Sequence, residues 1–72
     1  DLDIVRRTRE AGVACVLKED DDGSIKVSLR SVGAVDVCRI ATANGGGGHR
    51  FAAGFTSHDD LDTTISRIRA AL

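Results

Sequence analysis

Four consecutive glycines at positions 45–48 restrict this chain more than any other feature. Glycine loses more backbone freedom on folding than any other residue, so an ordered run of it needs a compensating gain. The gain it permits is close approach. With no Cβ in the way, the amides can face an anion and form a concavity for phosphate. His49 and Arg50 follow at once and put donors at the edge of that concavity. A guanidinium there can grip a phosphate through two parallel hydrogen bonds. The other use of glycine runs is as a flexible linker. This run has no serine spacers, and it lies between a predicted helix and the compact segment FAAGF at 51–55. Phosphate or nucleotide binding is therefore the better reading. No Lys-Ser/Thr pair follows, so it is not a Walker loop, and the glycines follow a helix, so it is not a dinucleotide fingerprint.

The rest of the chain reads as one small domain of 72 residues. Residues 1–10 are expected to form a short helix, with Asp1 and Asp3 at its start and Gly12 beyond its end. Residues 1–12 then serve as the connection into a domain spanning 13–72. The apolar, β-branched run 13–17 suits a buried strand. An acidic stretch ending in Asp22-Gly23 marks a hairpin turn. It lacks the alternate ligand spacing of a calcium loop. Residues 25–30 alternate: Ile25, Val27 and Leu29 share one face, and Lys26, Ser28 and Arg30 the other. A loop at 31–35 leads to Asp36 as N-cap and a helix over 37–44, with Gly45 just past its end. Residues 51–56 read as a strand, where small Ala52, Ala53 and Gly54 let a backbone or a ligand come close. Ser57 and Asp60 resemble a helix-start box. Leu61, Ile65, Ile68 and Leu72 then form one apolar stripe. Asp59, Asp60 and Asp62 near the start of that helix, and Arg67 and Arg69 near its end, complement its dipole. The expected class is α+β, a small mixed β-sheet packed by helices.

Composition narrows the function. Charged residues are 29% of the chain and the net charge is −1. That argues against a broadly basic nucleic-acid-coating domain and leaves room for a local basic pocket. Phe51 and Phe55 are the only aromatics, too few for a base-stacking platform. Cys15 and Cys38 make no disulfide framework, and Cys15, inside an apolar run, reads as a buried thiol. No signal peptide is evident and no apolar run approaches the roughly 20 residues of a membrane span. A soluble, cytoplasmic setting without membrane contact is expected. The chain contains no Met and is read as a piece of a longer protein. His49 and His58 are not joined by any carboxylate pattern, so neither a metal site nor a catalytic residue is expected within it. His58 reads as a surface residue near a helix start.

The segment GGGGHRFAAGF (45–55) resembles the Gly-Gly-Gly-His and Ala-Ala-Gly signature of the DHH-associated domain, the C-terminal lobe of DHH-family phosphoesterases. VSLRS (27–31) and VDVCRIA (35–41) resemble the same family in the same order. The pattern is most similar to the small-substrate branch: bacterial oligoribonucleases that also dephosphorylate phosphoadenosine phosphate, and cyclic di-AMP phosphodiesterases. The resemblance implies an N-terminal DHH lobe of the same chain that holds two manganese ions through Asp and His residues. The lobe in hand would hold the far end of a short RNA or dinucleotide substrate. Arg30, Ser31, Gly46, Gly47, Gly48 and His49 carry over as substrate-binding positions, with Arg30 on the terminal phosphate. Ser28 and Arg50 are second-tier candidates. The function so implied is the substrate-binding lobe of a manganese-dependent phosphodiesterase that converts short oligonucleotides, pApA or cyclic di-AMP to mononucleotides. A grip at a fixed distance from the metals would select substrates by length. A homodimer of the intact enzyme is compatible with this reading. The alternatives are the nucleic-acid lobe of a single-strand exonuclease, against which the net charge of −1 counts, the related C-terminal region of alanyl-tRNA synthetases, and a non-catalytic nucleotide- or RNA-binding module.

Overall fold

A computed structural model describes residues 4–72. The elements run β1 (Ile4–Glu10), β2 (Val13–Glu19), β3 (Ile25–Ser31), α1 (Val37–Ala43), β4 (Gly47–His49), β5 (Ala52–Ser57) and α2 (Leu61–Ala70). The strands form one five-stranded sheet in the order β1-β2-β3-β5-β4. The class is α+β, as expected. Each pairing is antiparallel, so the expected mixed sheet is corrected in that detail.

The helix expected over residues 1–10 is a strand from Ile4 onward; residues 1–3 of that reading lie outside the described residues. The reason is the turn that follows. Ala11 (φ 54°) and Gly12 (φ 75°) both adopt positive φ, and Glu10 pairs with Val13. Such a two-residue turn twists in the same hand as its strands and drives a hairpin. The usual Asn-Gly signal is absent, and β1 shows no clean apolar alternation because it is an edge strand. The second hairpin, β2–β3, turns at the acidic stretch as expected: Gly23 has φ 87°, and its N–H donates to Asp20 O at 3.0 Å.

Both helices cover one face of the sheet. Val13, Cys15, Leu17, Ile25, Val27, Leu29, Ala53 and Phe55 from the strands meet Val37, Ile40, Ala41 and Ile68 from the helices in one buried cluster. Leu61, Ile65 and Leu72 of the predicted stripe pack against its margin. Leu17 and Leu29 are fully buried; burial of a side chain of that size stabilises by about 1.5–3 kcal/mol. Burial also raises the Cys15 thiol pKa above its ordinary value, helped by the charge on Glu10. Asp36 caps α1, accepting from the N–H groups of Cys38 and Arg39. The cap of α2 is Asp60, which accepts from Thr63 N at 2.8 Å.

Ser57 is not part of that cap. It ends β5, is buried, and shares a 2.6 Å hydrogen bond with the hydroxyl of buried Thr64. The Thr64 hydroxyl also contacts Asp60 O at 2.8 Å. This polar pair pins α2 to the sheet. Replacing Thr64 with Val keeps the shape but leaves the Ser57 hydroxyl short of a partner. Unfolding by denaturant is expected to show a loss of about 1–3 kcal/mol.

Candidate phosphate-binding site

The other face of the sheet is open, and the strand register decides what stands on it. Residues paired across antiparallel strands project to the same face. Arg30 pairs with Ala52 on β5, and Ala52 pairs with His49 on β4. Arg30 and His49, far apart in sequence, therefore flank one alanine on the open face. Neighbouring strands are about 4.8 Å apart, which puts their backbones about 10 Å from each other. Both side chains are exposed. One Arg30 N–H donates to Leu29 O at 3.0 Å, which aligns the guanidinium and leaves its remaining donors available.

The glycine run does not form a loop-shaped concavity. It crosses from α1 to the sheet and becomes the edge strand. Gly45 (φ 84°) ends the helix, in the left-handed region expected after a C-cap. A Cβ on Gly46 would strike Gly54 O and come within 2.6 Å of Phe55 Cβ. A Cβ on Gly48 would lie 2.6 Å from both Ala52 O and Ala53 Cα. Gly47 faces open space. Packing against β5 thus accounts for two of the glycines. Cys38 fastens the same edge from α1: its thiol donates to Gly48 O at 3.3 Å.

The remaining predicted positions divide between the two faces. Ser28 is on the open face, paired with Gly54, which pairs in turn with Gly47. Ser31 is buried, pairs with Val13 on the core side, and its hydroxyl accepts from Gly33 N at 3.3 Å. It shapes the loop after β3 and does not stand beside Arg30. Ser31 N also donates to Phe51 O at 2.9 Å, tying that loop to the β4–β5 turn. Arg50 stacks over Phe51 with its guanidinium carbon 5.6 Å from the ring centre. It lines a hollow on the helical side with Asp36 and Arg39, away from the Arg30 row.

Two neighbours of the site are not among the predicted binding positions. Lys26 and His58 line a groove with Ser28, Asn44, Gly46 and Thr56, where the glycine run leaves α1. Lys26 was legible as a member of the Lys26–Ser28–Arg30 row. His58 was not, because only the crossing of the 45–46 segment past the end of β5 brings it there. Among the described residues, no group of three or more His, Cys, Asp or Glu could hold a metal ion. Nor does any described helix have the length and apolarity to cross a membrane.

The chain matches the DHHA1 domain family over residues 2–72. It is also similar to a bifunctional oligoribonuclease and PAP phosphatase, NrnA, from Thermus thermophilus, at 39% identity over 70 residues. That match covers 96% of this chain and 21% of the relative, so the chain spans about a fifth of the relative's length. No solved structure gives a significant match.

The glycine geometry predicts a graded alanine series. Gly46→Ala and Gly48→Ala force backbone to move and should each cost about 1–3 kcal/mol of stability. Gly47→Ala should stay within about 0.5 kcal/mol of the parent, as a surface change does. Thermal or denaturant unfolding of the three variants reads this directly.

Proposed function

The chain belongs to the DHHA1 domain family, and on that premise we propose that it is the substrate-gripping lobe of a DHH-type phosphodiesterase acting on short oligonucleotides or dinucleotides such as pApA and cyclic di-AMP. The observation that carries this reading is the placement of Arg30 and His49 on one open face, separated by the small Ala52. Arg30 supplies a planar fork suited to a terminal phosphate. His49 supplies an imidazole on the neighbouring edge. Between them Ala52, and beside them Gly47 and Gly54, keep the floor low enough for a nucleotide to lie against the sheet. An edge strand also directs some of its backbone donors and acceptors away from the sheet, which gives the glycine segment its share of the grip.

The named activities of the Thermus relative, oligoribonuclease and PAP phosphatase, agree with a small phosphorylated substrate. Bond cleavage belongs, in this proposal, to a companion DHH lobe holding two manganese ions, and no described residue of this chain is assigned to them. What this chain contributes is binding and register. Holding one end of the substrate at a fixed place converts the encounter with the cleaving lobe into an oriented one.

Titration with pApA, followed by amide NMR, tests the grip. Shifts are expected at Gly45 to Arg50 and around Arg30. A hydrogen bond to a charged group contributes about 1.5–3 kcal/mol, so Arg30→Ala and His49→Ala should each weaken binding roughly tenfold to a hundredfold. Shifts confined to the helical side, or full affinity in both variants, would refute the assignment.

A further inference from the structure

The row through Arg30 does not stop at β3. Arg30 pairs with Ala14 on β2, and Ala14 pairs with Arg9 on β1. One line of paired residues thus crosses all five strands: His49, Ala52, Arg30, Ala14, Arg9. Basic side chains alternate with alanines along it. Its four interstrand steps give it a length of about 19 Å. The next row on the same face runs Gly47, Gly54, Ser28, Val16, Arg7. Lys18 and Lys26 pair with each other in a third. The open face therefore carries five of the ten Lys and Arg residues.

Among the described residues most carboxylates lie elsewhere; the exception is Asp20 in the β2–β3 turn, whose carboxylate is 4.0 Å from the Lys26 ammonium at the far end of the face. Glu10 and Glu19 pair with Val13 and Ile25 on the helix-covered side, and Asp36, Asp59, Asp60 and Asp62 belong to the helical layer and its caps. Among the described residues, no carboxylate pairs with Arg7, Arg9 or Arg30. Arg7 and Arg9 are both exposed. A shallow depression between them and Ala14 and Val16 forms the floor. The net charge of −1 is an average over two unlike faces, so it does not count against a nucleic-acid surface on this one.

We propose that this face extends the grip beyond a dinucleotide: Arg9 and Arg7 hold backbone phosphates of a longer single-stranded oligonucleotide laid across the strands, from the glycine edge toward β1. The inference rests on the reading of Arg30 and His49 as the nucleotide grip. A single phosphate group cannot bridge cations spaced about 10 Å apart along a row, whereas a polyphosphate backbone meets them in turn. The alanine, glycine and serine floor lets that backbone approach. A groove of positive charge that tracks the chain is how single strands are held without sequence preference.

The test compares pApA with an oligoadenylate of about eight nucleotides, within the site size of single-strand binders. The variants are Arg7→Gln/Arg9→Gln and, as a control with equal charge loss on the helical side, Arg39→Gln/Arg67→Gln. The first pair should weaken oligoadenylate binding about tenfold at low salt and reduce the slope of log affinity against log salt by about 1.4, or about 0.7 for each phosphate no longer neutralised. At about 0.15 M salt, affinity for pApA should stay within about twofold, as should both affinities of the control, because charges beyond the Debye length of about 8 Å are largely screened there. Unchanged oligoadenylate binding in Arg7→Gln/Arg9→Gln, or an equal loss in the control, overturns the proposal. So does a poly-glutamate peptide that binds as tightly as the oligoadenylate and loses as much in the same variant, since the face would then recognise acidity alone. If pApA fails to bind while the oligoadenylate behaves as stated, the dinucleotide grip falls and the basic track stands. If pApA binds through Arg30 and His49 while Arg7→Gln/Arg9→Gln leaves the oligoadenylate unaffected, the grip stands and the track falls.

Discussion

The contact between the glycine edge and β5 constrains the whole of this structure. Gly46 and Gly48 sit where backbone and Cβ atoms of residues 52–55 leave no room for a side chain. Because they fit, the chain leaving α1 turns back onto the sheet and adds a fifth strand. That strand sets His49 opposite Ala52, in line with Arg30. The same closure lets the Cys38 thiol reach Gly48 O and draws α1 over the core. A wider separation there would detach the helix and the site together. In the proposed grip the run would serve two ends, and the packing one is the stricter, since backbone cannot yield as a flexible side chain does.

The domain divides its labour between two faces. One is apolar and covered by both helices, and it carries the folding energy. The other is open, floored by small residues and studded with cations. Polar groups inside the structure are matched: no buried side-chain nitrogen or oxygen among the described residues lacks a hydrogen-bond partner. The Ser57–Thr64 pair is the clearest case, because two hydroxyls satisfy each other where a strand meets a helix. With its buried polar groups paired, the domain can leave an unbalanced charge on the open face, where water screens it.

Much of this is legible along the chain. The alternation at 25–30, the acidic Asp-Gly turn, the Asp36 cap and the stripe of the last helix each follow from local chemistry, and β2, β3, α1, β5 and α2 stand where those signals put them. The glycine-histidine signature and the Arg30 strand were enough to point to the DHHA1 family. What local signals could not show was β1. Ala11-Gly12 is an unusual pair for a tight hairpin, and an edge strand with three arginines has little apolar pattern to display. With β1 read as a helix, Arg7 and Arg9 had no place on the sheet.

Residue identity thus decided which segments bury themselves, where they turn, and that the chain belongs to the DHHA1 domain family. Tertiary pairing decided which residues meet. Arg9, Arg30 and His49 share a row because three separate strand registers bring them there, and no local periodicity encodes a register between distant strands. Ser31, beside Arg30 in the chain, went to the opposite face by the same alternation that exposed Arg30. Net charge belongs to the sequence, but its distribution belongs to the fold. Strand pairing and helix placement sorted a nearly neutral chain into a basic face and an acidic-capped helical layer.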